Sequence, residues 1–420
     1  MSRLFYSESG RIVRFLNEEL SSRRRARKVL HLPQDVRSGG TLYVYAHPHK
    51  GCARPLKLTF NGHPFEIAPD GLQGFHWLAL PLKREHVRPG PNTVELWCEG
   101  VAMDGWVLGL ESNVRAADSA LSLDGGATWQ NERMGVLSCL RGEYVLRLRL
   151  DDGALEDPPP PAPVWEAPNY PLLLELRACV PPKVQSVSDT WQKARALSSW
   201  VSSQWRYRNT SNGIEYAPWD PFTILSWGKR QRGQEMSAPV VMCVHYGIVF
   251  VSAALSLGIP ARNVCSTNAI NGILGHFVSE VWVEKWQKWC QVDADCDIVY
   301  IADGVPLCVG ELHQAGARLP TLAQKGPGFR RQPAFVRELA DQHFVTGDSF
   351  ALWAIWPRND YLSHPELTPT MHGAGSYHET EWLWARTASA ATLGMFPYCL
   401  PPEQLQAPPP QQWRDAAGCR

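Results

Sequence analysis

At 420 residues with 44 % hydrophobic side chains, the chain is too long for one compact core and too apolar to be disordered. Lys plus Arg and Asp plus Glu number 41 each, which leaves no overall electrostatic footprint for nucleic acid. The 11 cysteines are scattered without a Cys-x-x-Cys pair, which argues against a structural metal cage and for reduced thiols in a cytoplasmic protein. The first 28 residues lack the apolar core and small-residue cleavage site of a signal peptide, and no later run of about 18 apolar residues offers a membrane span. Within them SSRRRARK, from Ser21 to Lys28, reads as a solvated face or mobile arm, with anion binding as the sharper alternative.

From there to residue 150 the pattern is β. TLYVYAH, LKLTF, WLALPL, NTVELWCE, GWVLGLE and EYVLRLRL are short runs rich in β-branched, leucine and aromatic residues. Gly, Pro, Asn and Asp separate them, and Asn61-Gly62 is a hairpin-turn dipeptide. Evenly spaced strands of this kind predict a β-sandwich over 1–150. LKLTFNG, WLALPL and GPNTVELW resemble the jelly-roll modules of the galactose-binding-like group. That resemblance implies either a carbohydrate-binding surface or a brace for a neighbouring domain, and the brace is preferred.

The prolines of DDGALEDPPPPAPVWEAPNYP, residues 151–171, can continue neither helix nor central strand, so the segment is read as a linker. Beyond it, Val184, Val187, Trp191, Ala194, Leu197, Val201 and Trp205 recur every three or four positions, one apolar stripe of an amphipathic helix opened by two prolines. A second helix is predicted through VMCVHYGIVFVSAALSLG, with Pro239 outside its start and Gly258 and Pro260 as its stop. Cys243 falls in its first turn, where free amide hydrogens and the macrodipole favour an anion. A buried, inert thiol is the plainer reading of the same position. His245 is no partner for Cys243, because residues two apart on a helix face different ways.

A base is found further on, in GHFVSEVWVEKWQKWCQVD. Both halves alternate as strands, and a turn centred on Glu284-Lys285 would pair Val283 with Trp286 and set His276 directly opposite Asp293. Opposed residues share a face, close enough for a carboxylate to hold an imidazole in one tautomer. In that register Lys288 interrupts an otherwise apolar face and must lie at its edge or snorkel. A nucleophile at a helix start and a base oriented by a carboxylate follow the general logic of cysteine acyl transfer.

Cys243 opening an apolar helix, GIPARNV from Gly258, His276 with Glu280 in HFVSE, and W-x-x-W-C-Q-V-D ending at Asp293 together resemble the transglutaminase-like superfamily, in its short microbial and peptide N-glycanase-like form. The resemblance implies an α+β multidomain chain, with a papain-like catalytic domain over 172–400 and a polar, proline-rich tail over 401–420. It further implies a thioester mechanism on an amide of a peptide, protein or glycopeptide, with Cys243, His276 and Asp293 as the triad and no cofactor. The thiol context Val241-Met242-Cys243-Val244 departs from the Gly-Gln-Cys-Trp of animal cross-linking members, so hydrolysis or acyl transfer is left open. The Cys243 amide is the first oxyanion donor. Trp227, Gln231 or Gln234 from the preceding loop is the second, Trp227 ranked first.

Among later residues, DGVPLCVGELHQAG is read as a strand and a helix. His364, His372 and His378 lack metal-ligand spacing, and Trp353, Trp356, Trp382 and Trp384 are read as groove lining or as packing between domains. The competing function is a non-catalytic scaffold that binds a glycan or a protein and keeps a vestigial core.

Overall fold

The computed structural model describes residues 3–8, 17–69, 72, 75–101, 104–112, 116–151, 162–209, 215–228, 239–267, 275–345, 350–365, 382–386 and 399–418. The chain divides into two compact units, the first built chiefly from Met1–Pro160 and the second from Pro161–Pro369 with Glu381–Ser389 and Cys399–Arg420. No helix among the described residues is long and apolar enough to cross a membrane. All ten described cysteines are free thiols.

The first unit holds two large antiparallel sheets around one core, with a small third one pairing Leu110–Ser112 and Gly142–Tyr144. One runs Arg3–Phe5, Leu146–Leu150, Gly40–Pro48, Trp106–Leu108, Glu18–Leu20, with His76–Leu82 also paired to Gly40–Pro48. The other runs Ser119–Ser122, Arg25–Leu32, Gly90–Cys98, Leu56–Phe60, His63–Ile67. Strand alternation puts Leu56, Leu58, Phe60, Val94 and Leu96 inward, where they share a buried cluster with Leu42, Val44 and Ala46 of the first sheet. Asn61 and Gly62 both take positive φ, 51° and 85°, the two-residue turn that fits the twist of a hairpin.

The basic run is neither arm nor open face. Arg25–Leu32 is a strand, and its period of two divides the charges. Lys28 points inward, fully buried, donates to the Tyr144 carbonyl at 2.6 Å, and lies 3.5 Å from Glu143 and 3.6 Å from Glu8. Arg25 and Arg27 point outward over the rings of Trp97 and Trp129 at 4.8 and 4.3 Å. Two carboxylates and a carbonyl offset the desolvation of Lys28, which charge counting along the sequence does not reveal.

In the second unit a six-stranded sheet runs Lys288–Val292, His276–Val283, Ala261–Thr267, Leu352–Ile355, Leu383–Ala385, Cys399–Leu400. The helix Cys243–Ser256 lies against its His276–Val283 and Ala261–Thr267 strands and beneath the helices Pro171–Cys179, Thr190–Val201 and Pro221–Gly228. Being covered on all sides, it buries every residue, as its all-round apolar sequence requires. Gly247 allows that close seat: a Cβ there would stand 2.6 Å from Oδ1 of Asn263. Arg262 and Glu280 face one another across the two strands and join through two guanidinium N–H groups. Glu280 also accepts the Val309 amide at 2.8 Å, and Arg262 donates to the Leu405 carbonyl at 2.6 Å.

Several expectations are corrected here. The amphipathic stripe splits into Pro182–Gln185 and Thr190–Val201, because Asp189 caps the second helix by accepting the Gln192 amide at 2.9 Å. His276–Val283 is buried on both faces rather than one, being sandwiched in its unit. Residues 401–420 do not form a free tail: Trp413 is buried and donates to the Glu166 carbonyl at 2.9 Å, and Ala407 accepts from Trp289 at 2.8 Å. Residues 152–161 of the expected linker lie outside the described residues, but its end belongs to the second unit. Val164–Trp165 pairs with Arg358–Asn359, and the Glu166 carboxylate accepts the Leu362 and Ser363 amides. Trp353, Trp356, Trp382 and Trp384 are all buried in the second unit's own core, Trp356 against Trp219 and Trp382. Lys288 lies at the sheet edge as expected, paired with Glu311. DGVPLCVGELHQAG supplies the short strand Val305–Pro306 and the helix Val309–Ala315.

Candidate active site

Cys243 is the first residue of its helix, with Met242 as N-cap. Among the described residues no acceptor meets the Cys243 or Val244 amide, as the first turn of a helix leaves its amides without an intrahelical partner. His245 takes no part in the chemistry. Its Nδ1 accepts the Met242 amide and its Nε2 donates to the Ala217 carbonyl, each at 2.9 Å, and complete burial pushes its pKa down to about 4.

His276 opens the adjacent strand, and its Nε2 meets Oδ2 of Asp293 at 2.8 Å with both side chains buried. The Cys243 thiol lies close enough to the same ring to act on its charge. With Nε2 held by Asp293, Nδ1 is the nitrogen left to face the thiol. Burial opposes the charged imidazole. The charge and hydrogen bond of Asp293, with the Cys243 thiol, outweigh that and leave its pKa well above the ordinary value. The ring is further covered by Phe344, stacked at 3.9 Å between centroids and 9° between planes. Phe344 is held in turn by its carbonyl, which accepts from the Tyr300 hydroxyl at 2.8 Å.

The hairpin register differs from the expected one. Val283 pairs with Lys288 and Ser279 with Val292, because the turn takes a short 3-10 segment, Glu284–Trp286, and Gln287 in the left-handed region at φ 50°. Continued, that register sets Asp293 opposite Val278 rather than His276. A shift of two residues preserves the face, so the carboxylate still reaches the imidazole diagonally.

Asp293 is fixed by the tight loop it opens. Its backbone bridges to Ile298, and its Oδ1 accepts the Asp295 and Cys296 amides at 3.0 Å each. Asp297, at φ 51°, anchors the far end by accepting from Ser198, Ser199 and the Gly328 amide. Two residues of this loop enter the site in ways the sequence reading missed: it took Cys296 for an ordinary buried thiol and passed over Asp295. Asp295 is buried beside the pair; desolvation and the Asp293 charge push its pKa up to about 8. The Cys296 sulfur lies within 4.8 Å of the ligand atoms of His276 and Asp293, and burial first, then Asp293, pushes that thiol's pKa well up. Tyr207 is a further omission, close enough to Cys243 and Asp295 for their charges to raise its hydroxyl pKa beyond what burial does.

Trp227 sits in the helix Pro221–Gly228, half-buried, not in a loop; that helix packs on the Cys243 helix. Gln231, Gln234, His372 and His378 lie outside the described residues. His364 is exposed and pairs with Asp360 at 2.9 Å. His276, Asp293 and Cys296 form the one group among the described residues with the mutual proximity of metal ligands.

Residues 178–294 match the transglutaminase-like superfamily, and this stretch contains the Cys243 helix, the His276 strand and Asp293. The chain therefore carries a domain of that cysteine-based enzyme superfamily, joined to a β-rich N-terminal region. Among solved structures, a candidate cysteine protease from Cytophaga hutchinsonii is similar at 12 % identity and a TM-score of 0.23, with 70 % of this chain and 79 % of that one covered. No curated protein matches the chain.

Proposed function

We propose that the second unit is a papain-like cysteine hydrolase or acyltransferase acting on an amide of a peptide, protein or glycopeptide. The observation that carries this reading is the convergence of two groups on one imidazole. Asp293 holds Nε2 at 2.8 Å, Cys243 meets the ring from a helix start, and no other described histidine is so placed. Nδ1 takes the thiol proton, and Sγ of Cys243 attacks the carbonyl carbon. The tetrahedral oxyanion is received by the Cys243 amide, with Trp227 as the proposed side-chain donor. Collapse expels the amine, protonated by His276, and leaves a thioester. Water or an acceptor amine, deprotonated by the same imidazole, then releases the acyl group.

Cys243 is 7 % exposed and His276 and Asp293 each 2 %, so substrate reaches Sγ only when covering side chains move aside. In this reading the second unit, which takes in the end of the expected linker and the residues around Trp413, is catalytic, and the first is a galactose-binding-like unit that braces it or reads a sugar on a glycopeptide. The test is Cys243→Ala and His276→Ala against a panel of peptide, glutamine and glycan-linked amides. Both variants should lose turnover by at least about a thousandfold, the scale set by losing a triad member. Retained turnover in both removes the triad.

A further inference from the structure

Asp293 collects more protons than an orienting carboxylate requires. Oδ2 faces His276 Nε2, Oδ1 takes two amides, and the Cys296 sulfur lies within 4.8 Å of the same carboxylate. The His276 nitrogen, an Asp293 oxygen and the Cys296 sulfur all lie within 4.8 Å of one another, and all three residues are buried. One imidazole, one carboxylate and one thiol are the donors that zinc takes in tetrahedral sites, where bonds of about 2.0–2.3 Å set ligand atoms roughly 3–4 Å apart. Beside them Oδ1 of Asp295 is buried without a hydrogen-bond partner, and its charge is felt by both Asp293 and His276. An oxygen stripped of water and left without a donor is destabilising where it stands, and a cation would offset that.

We infer that His276, Asp293 and Cys296, with the buried carboxylate of Asp295 outside them as a neutralising charge, form a binding site for a borderline-soft divalent cation of the zinc type, and that filling it turns off the base. The exchange balances: the ion enters as 2+, one proton leaves Cys296 Sγ for solvent, and the single proton of the neutral imidazole passes from Nε2 to Nδ1. The three ligand atoms already lie within 4.8 Å of one another, so assembly needs them to close to the roughly 3–4 Å of a filled tetrahedral site. Cys243 stands outside the ligand group. Once Nε2 binds the ion, the imidazole proton sits on Nδ1, the nitrogen facing Cys243. Nδ1–H can donate but cannot accept, so the thiol has no base. The inhibitory consequence rests on the nucleophile reading above, whereas the binding rests on the ligand atoms alone.

The experiment titrates metal-free full-length protein with Zn²⁺ by calorimetry and with Co²⁺, whose thiolate charge-transfer absorption reports a sulfur ligand. Wild type and Cys243→Ala should each bind one equivalent and show the band. Cys296→Ser should lose the band and bind on the order of 100-fold more weakly, and Asp295→Asn about 10-fold more weakly with the band kept, by comparison with the losses that even outer-shell changes bring. Melting curves of the two variants separate lost binding from lost fold, and either one alone suffices for the comparison. If a substrate amide is turned over, Zn²⁺ should stop wild type and spare Cys296→Ser. Wild-type protein that takes up no zinc overturns the inference. So does a band that survives in Cys296→Ser and disappears in Cys243→Ala, which would put the ion on the nucleophile instead.

Discussion

Phe344 lies flat on His276, with ring centroids 3.9 Å apart and planes 9° apart, while the Tyr300 hydroxyl holds its carbonyl. The ring excludes water from the His276–Asp293 bond and presents its negative face to an imidazolium. A desolvated cation on an aromatic face gains about 1–2 kcal/mol, roughly tenfold in the population of the thiolate–imidazolium pair. Phe344→Leu keeps most of the volume and removes the π face. Alkylation of Cys243 by iodoacetamide, followed on its own peptide by mass spectrometry, should slow about tenfold near pH 6. Phe344→Tyr should restore it. Equal rates in all three proteins would reduce the ring to packing.

Glu280 belongs to the motif that suggested the superfamily, yet its role is structural. It is fully buried, takes two N–H groups of Arg262, and holds the first amide of the Val309–Ala315 helix. Arg262 continues the chain of contacts, stacking 4.0 Å over Trp289 and donating to Leu405. Removing one charge strands the other in the interior, which destabilises by about 3–5 kcal/mol. Glu280→Ala should therefore lower the denaturant midpoint sharply. The double variant Arg262→Met with Glu280→Leu should recover much of the loss. A strictly additive double variant would show that the pair is not coupled.

What could be read from the sequence was whatever depended on local period. Pro239 before and Gly258 after bracket the Cys243 helix, and alternation along HFVSEVWV assigns His276 to a strand. The expected pairing of His276 with Asp293 survived a wrong turn because the error was even: two extra residues at Gln287 slide the strand without turning it over. One residue would have sent the carboxylate to the other face. Lys28 shows the opposite case, since a run of basic residues hides that alternate ones point inward. Phe344 and Tyr300 reach the site from distant segments, with no local signal to announce them. Cys296 and Asp295 were in plain view three and two residues past Asp293, but only the loop's closure at Ile298 turns them toward it.

Gly247 sets how closely the nucleophile helix approaches the sheet. An added Cβ would stand 2.6 Å from Asn263 Oδ1, and that amide cannot retreat freely because Tyr361 and Ser279 bond its two ends. Gly247→Ala must push the helix outward, at a cost of about 1–3 kcal/mol by overpacking. Cys243 lies one turn earlier on the same face and moves with it. Melting temperature and Cys243 alkylation should fall together, and Asn263→Ala should partly rescue the alkylation rate by making room. A Gly247→Ala protein as reactive and stable as wild type would remove the close-approach argument.

His245 gives the structure a pH limit of its own. Both ring nitrogens are engaged, one as acceptor of the Met242 amide, so the neutral form is built in and protonation breaks that bond. Its folded pKa, about 4, lies below the ordinary 6.5 or so of an unfolded chain. Between these values the unfolded state binds the extra proton. The stability contributed is therefore complete above about pH 6.5 and is lost as pH falls toward 4, an order of 3 kcal/mol in all. Urea midpoints measured from pH 7 down to 4 should fall for wild type. His245→Gln can keep an acceptor and a donor but does not titrate, so it should start lower and decline less over the same range. Parallel curves for the two proteins would assign the acid sensitivity to other groups.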